Sequence, residues 1–394
     1  MKKVIIYTDV FRYGDWIVDN MNIIKHLLIY QLKKIGFSEV ITLHEAGFCV
    51  KQFLFLNNNI SSISEYNKLS KSEIDNLWIK LNTSNINKEA CDYFCSFFKD
   101  CIAISYHSSS TINNMLSKGN ITYLDTFESS YRFLQDTYFS IRTNNVEIEK
   151  TLINDYSISD NKLFIQANYL KAFFVRNKTT NFTINPNSAL IICQTPLDIV
   201  LIKENGDIDN LLNYQSNIKN IANTYSTLYY KLHPKSPSKY NKLLKKYFKQ
   251  FNNTIEIKDD MYELLANDNI ILVAGINSSS LYEAKYFNKK VEFFGKPHFN
   301  YITQESTNNK KFDFVMLDSN KHLFDINFWN HILNNIKPTT TSTPIFENYN
   351  DLLRNVLKVS SSYNLSLYLR LQKLEKYLFI NRVKKLIKSL KLFN

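Results

Sequence analysis

Hydrophobic and polar positions along the chain fall into two alternating patterns. KKVIIYTDV (2–10) is a β-branched run that ends in polar residues, which predicts a strand. DWIVDNMNIIKHLLIYQLKKIG (15–36) then carries apolar residues at helical spacing and ends on Gly36, which predicts a helix with a glycine cap. SEVITLH (38–44), CIAISYH (101–107) and NITYLDT (120–126) are further short strands, and Ser-rich or acidic turns follow the last two. Strands alternating with helical segments predict a parallel sheet with helical crossovers.

The pattern restarts near residue 188. SALIICQT (188–195), STLYYKLHP (226–234), NNTIEIK (252–258), NIILVAG (269–275) and KVEFFG (290–295) are strand-like. Between them lie helical stretches: the segment through Ile221, SKYNKLLKKYFKQF (238–251), MYELLAND (261–268) and SSLYEAKYFN (279–288). This is a second doubly wound unit, and residues 175–187, with their Asn, Thr and Pro186, form the linker. The expected fold class is α/β of the GT-B kind: two Rossmann-like doubly wound domains facing a central cleft. Its parts are an acceptor-side domain over 1–178, a nucleotide-sugar domain over 188–335 and C-terminal helices over 346–394. Ligands of such sheets sit at the carboxyl ends of strands.

Composition supports this division. At 394 residues the chain exceeds one ordinary core of about 150 residues. An apolar share of 44% argues against disorder. The net charge of +12 suggests nucleic acid until its distribution is seen: Arg370–Lys391 holds eight basic residues and one acid, a local +7, so the body carries only +5. No nucleic-acid partner is therefore expected. That tail alternates Lys and Arg with Leu, Ile and Phe at helical spacing. It reads either as a basic amphipathic helix on the inner membrane surface or as a closing helix packed back on the fold. The five cysteines are scattered, with no C-x-x-C, and fit a reducing cytosol. The N-terminus reads as a strand and not as a signal peptide, and no run approaches the roughly 18 apolar residues of a membrane span. A cytoplasmic protein, peripheral to the membrane if the tail binds it, is the expectation.

Chemistry-bearing residues gather at the strand ends. Asp198 follows ALIICQ, and His233, Pro234 and Lys235 follow LYYKL. Ser278, Ser279 and Ser280 follow ILVAGIN and open the next helix. Hydroxyls and free N–H groups at a helix start, facing an imidazole and an ammonium, would make a phosphate clamp. Taken singly, the serines also fit plain N-capping and His233 a turn histidine.

The run GINSSSLYEAKYFNKKVEFFGKPHFNY, preceded by ICQTPLDIVLI and YYKLHPK, resembles the ordered motifs of the capsule polysaccharide synthesis proteins, the Kdo transferases of capsule export. Bacterial sialyltransferases share the His-Pro and Ser/Thr motifs. The resemblance covers residues 188–303 well and the N-terminal half weakly. It implies a metal-independent GT-B glycosyltransferase that moves a sugar acid from a CMP-activated donor to a glycan or lipid-linked glycan, with no cofactor. His233 and the serines around Ser279 would hold the CMP phosphate, Glu263 the ribose, and Glu283 matches the family's Glu after the serines. Glu263 otherwise reads as a solvated helix residue, and Glu283 as a local cap or pair. Lys296 and His298 fall in the family's Gly-Lys-Pro turn.

ITYLDTFESSYR, with Asp125 and Glu128, resembles a degraded form of the family's acidic motif, with Thr126 where the Gly should be. Two carboxylates suit an oxocarbenium-like transition state. Asp125 would take the acceptor proton if the enzyme inverts, and Asp198 would be the nucleophile if it retains. The two would face each other across the cleft. Asp15, His44 and Glu45 are acceptor-side candidates by position alone. Alternatives are a GT-B transferase using a UDP- or GDP-sugar and an inactive GT-B protein that binds glycan. P-loop and dinucleotide glycine motifs and H-E-x-x-H are absent, and no D-x-D stands in a convincing loop, so no metal is expected.

Overall fold

β1 (Lys2–Thr8) is buried on both faces, with Val4, Ile5, Ile6 and Tyr7 at 0% exposure. Such a strand needs helices on either side. Val4 and Ile6 pack under α1 (Trp16–Lys34), whose Ile24, Leu28 and Leu32 recur at helical spacing. Ile5 and Tyr7 face the opposite way, as a period of two demands, against the helices between β2 (Phe37–Thr42) and β3 (Cys101–Tyr106). Those helices are α2 (Val50–Leu56), α3 (Ile63–Tyr66), α4 (Lys71–Thr83) and α5 (Lys88–Ser96). Gly36, at φ +100°, turns the chain out of α1 in a conformation that a side chain would strain. The structure is a computed structural model that describes residues 2–12, 16–134, 137–177, 183–196, 198–203, 207–297, 299–306 and 313–336.

The first sheet continues with α6 (Ser110–Lys118), β4 (Tyr123–Glu128), β5 (Phe139–Thr143) and α7 (Val146–Tyr156), and the long α8 (Asp160–Asn177) crosses to pack on the second unit. The second is built from β6 (Ser188–Ile192), α9 (Gln215–Thr224), β7 (Thr227–Lys231), α10 (Ser238–Phe248), β8 (Thr254–Glu256), α11 (Met261–Ala266), β9 (Ile270–Gly275), α12 (Ser279–Ala284) and β10 (Lys290–Phe293). Its order is β10-β9-β6-β7-β8, with every pair parallel. Ala189 and Ile191 of β6 face α9 and α10, while Leu190 and Ile192 face α8, α11 and α12.

Two features depart from the sequence expectation. β5 lies antiparallel to β4, because residues 129–138 are too few for the dozen or more that a parallel crossover needs. The chain also returns after β10: β11 (Tyr301–Ile302), β12 (Phe314–Met316) and α13 (Ile326–Asn334) join the first sheet, whose order is β11-β12-β5-β4-β3-β1-β2. These three elements, expected with the second unit, therefore pack in the first. Ile302, Val315, Phe328 and Trp329 share a core with Val4 and Ile6.

Each sheet has a point where the winding direction reverses. The chain runs from β1 outward to β2 and then returns to β3 on the other side of β1. It runs from β6 through β7 to β8 and returns to β9 on the other side of β6. Crevices open outside the carboxyl ends of strands at such points. Among the described residues, no helix is long and apolar enough to cross a membrane. Asp15, His298 and the basic tail 346–394 lie outside the described residues.

Candidate active site

A cavity of about 840 Å³ lies over the carboxyl ends of β6, β7, β8 and β9. Cys193, His233, Pro234, Asp259 and Ser278–Ser280 line it, with Arg132 reaching in from the loop after β4. His233 and the three serines, distant in sequence, thus face one space. His233 Nδ1 accepts the backbone N–H of Lys235 at 3.1 Å, so Nε2 carries the ring proton. Burial holds the imidazole below its ordinary pKa; Asp198 opposes this, while Lys235 and Arg132 add to it. Near neutral pH His233 is therefore an uncharged N–H donor. Ser278 stands at the start of α12 but makes no capping bond with its side chain, which counts against plain N-capping. Ser236 Oγ and Asn241 Oδ1, also on the cavity, are buried with no hydrogen-bond partner among the described residues. Buried polar atoms of that kind call for a partner such as a water, an ion or a ligand.

The other second-unit candidates divide. Asp198 is half-buried, accepts Val200 N–H at 3.4 Å and is close enough to His233 to influence its charge. Lys235 is exposed outside the lining, where only its backbone serves His233. Glu263 is half-buried on α11 and does not line the cavity; Asp259 and Asp260 do. Glu283 is no local cap. Its carboxylate, 2% exposed, accepts the Tyr262 hydroxyl and the Arg132 backbone N–H, each at 2.7 Å, and so ties α12 to the loop after β4. Burial pushes Glu283 up to about 7 against the pull of Tyr262 and Arg132. Lys296 is exposed in the turn after β10.

In the first sheet the acidic motif is arranged differently from expectation. Asp125 is wholly buried in β4. Its carboxylate accepts from Ser105 at 2.6 Å, Ser108 N at 3.0 Å, Asn113 at 3.1 Å and Arg142 Nε at 2.8 Å. With both oxygens committed it holds strand ends together and lines neither cavity, unlike the acceptor-facing base expected from the motif. Glu128, three residues on, does reach open space. It lines a second cavity of about 420 Å³ with Asp9, Arg12, His107, Arg142 and, from beyond β6, Lys203. His107 Nε2 is in contact with the Glu128 carboxylate. Burial pushes Glu128 up, but His107 and Arg132 outweigh it and hold the carboxyl below its usual range. Asp9, at the end of β1, is pushed up to about 6 by burial against the Trp78 N–H and Arg12. His44 is exposed, and Glu45 is taken up by Lys25 at 2.5 Å and Thr42 N at 2.7 Å; neither lines this cavity.

Among the cavity residues that were not singled out from sequence are Asp9, His107 and Arg132. Asp9 and His107 follow β1 and β3 directly, so the strand-end rule would have found them. Nothing in the sequence marks Arg132, whose charge acts on both His233 and Glu128.

Residues 118–294 match the family model described as alpha-2,8-polysialyltransferase (POLYST). The match takes in Asp125, Glu128, Asp198, His233 and Ser278–Ser280, and less than half of the chain. This agrees with the sialyltransferase side of the resemblance read from the motifs. No curated protein sequence matches the chain. Similar solved structures include Thermosulfurimonas dismutans KpsC, beta Kdo 2,7 transferase, at 12% identity and TM-score 0.36, over 75% of this chain and 80% of that one. T. dismutans KpsC, beta Kdo 2,4 transferase, matches at 16% identity and TM-score 0.32, over 50% of this chain and 69% of that one.

Proposed function

We propose that the protein is a glycosyltransferase that moves a sugar acid (Kdo, sialic acid or a related nonulosonic acid) from a CMP-activated donor to a glycan acceptor in surface-polysaccharide synthesis. The observation that carries this reading is the convergence of His233, Pro234 and Ser278–Ser280 on one cavity, inside the stretch that matches the polysialyltransferase model. In this reading the two sheets are the facing lobes of a GT-B enzyme.

The bond that breaks joins the anomeric carbon to a phosphate oxygen of CMP. That oxygen leaves with the electron pair, so donors aimed at it lower the barrier. The His233 Nε2–H and the serine hydroxyls are such donors, and the unpartnered Ser236 and Asn241 oxygens suit the polar parts of the nucleotide. This stabilisation needs no metal. Arg132, between the two cavities, adds positive charge where the phosphate and the sugar-acid carboxylate would lie.

A thermal-shift series with CMP, UDP and GDP tests the donor. CMP alone is expected to raise Tm; UDP or GDP doing so instead assigns another donor, and no response removes the transferase reading. His233→Asn is expected to lower CMP release from a CMP-sugar acid about 100-fold, the scale set by loss of one leaving-group donor. A variant within about threefold of wild type refutes the role of His233. NMR of the product reads the anomeric outcome.

A further inference from the structure

We infer that the acceptor hydroxyl is deprotonated by His107, with Glu128 holding its imidazole, so that the base of this transferase is a His–Glu pair. The inference rests on the transferase reading above. His107 follows β3 and Glu128 ends β4, side by side in the sheet, and both line the cavity that also receives Lys203 from the second unit. A carboxylate only accepts hydrogen bonds, so the contact fixes His107 as the Nε2–H tautomer and leaves Nδ1 as the basic nitrogen. The ring is held on other sides as well: Phe127 lies 4.1 Å and Tyr106 4.3 Å from it between centroids. Its backbone is at φ +60°, a left-handed conformation that a non-glycine residue keeps only when its surroundings impose it, and such residues cluster at active sites. The imidazole remains 31% exposed toward solvent, while Glu128 is 12% exposed.

The expected motif acid, Asp125, is closed off behind these residues, so the proton needs another taker. The acceptor O–H proton passes to His107 Nδ1 as the acceptor oxygen bonds to the anomeric carbon. The C–O bond to CMP breaks, the electron pair leaves on phosphate, and the imidazolium is stabilised by Glu128. The proton is then lost to solvent. This is the division of labour in a base–carboxylate pair: one group moves the proton and the other orients it. Charged and titratable groups around the pair are Tyr106 and Arg132 on the Glu128 side, and Asp9, Arg12, Arg142 and Lys203 around the cavity.

The test uses the full chain, a CMP-sugar acid and a glycan acceptor. His107→Asn is expected to lower kcat for transfer 100-fold or more, with donor KM and the CMP-induced Tm shift unchanged. Glu128→Gln, which keeps the shape but removes the anion beside the imidazolium formed in the step, is expected to lower kcat with donor KM and the CMP-induced Tm shift unchanged. Transfer by His107→Asn within about threefold of wild type overturns the pair. So does loss of the CMP-induced shift in both variants, which would make their role structural. A wild-type protein indifferent to CMP overturns the donor reading, and the inference falls with it.

Discussion

At the scale of single residues, the acidic motif shows how one carboxylate can be structural and its neighbour chemical. Asp125 and Glu128 sit on the same strand, but Asp125 accepts four hydrogen bonds in a dry interior, while Glu128 opens on a cavity. Arg142, which pairs with Asp125, also donates to Ser108 O at 3.1 Å and lies 4.6 Å over the Phe314 ring. Asp125→Asn leaves that guanidinium without its counter-charge. The expected cost is about 3 kcal/mol of unfolding free energy, read by urea denaturation. Full stability in this variant would return Asp125 to the list of candidate bases.

At the scale of elements, Glu283 is the joint where α11, α12 and the loop after β4 meet. Its carboxyl is raised from an ordinary value of 4.5 to about 7. The folded protein therefore holds this proton more tightly than the unfolded chain does. Stability from the group is full below about 4.5 and is lost as pH rises through about 7. Asp9 acts with the same sign between 3.8 and about 6. Glu283→Gln is expected to flatten the wild-type fall in stability between pH 5 and pH 7, by an amount on the order of 3 kcal/mol. Parallel slopes for the two proteins would show that Glu283 stays ionised in the fold.

At the scale of the whole molecule, the described chain comes back to the sheet it started with. After building the second sheet it returns to the first with β11, β12 and α13. Trp329 and Phe328, both at 0% exposure, plug the core beneath α1. Trp329→Ala is expected to cost about 3–5 kcal/mol, the usual range for emptying a buried aromatic site, measured by denaturant unfolding. A fragment of residues 1–178 lacks those plugs, so it is not expected to show a cooperative melt on its own. A sharp two-state transition in that fragment would mean that the return stretch is dispensable.

Local order was written plainly in the chain. Unbroken β-branched runs could only be strands with helices on both faces, amphipathic spacing at Ile24, Leu28 and Leu32 marked α1, and the His-Pro corner and serine run stood at strand ends where anions bind. Those features depend on neighbours in sequence, whose geometry the backbone fixes. Pairings across long separations were not legible. Burial of Asp125 depends on Ser105, Asn113 and Arg142 arriving from three other elements. The contact of His107 with Glu128 depends on β3 and β4 lying side by side, and the reach of Arg132 into the His233 cavity depends on how the two sheets are apposed. Hydrophobic pattern says which residues go inside; only the packed chain says which polar groups meet there, because that is decided by desolvation and by partners supplied from far along the sequence.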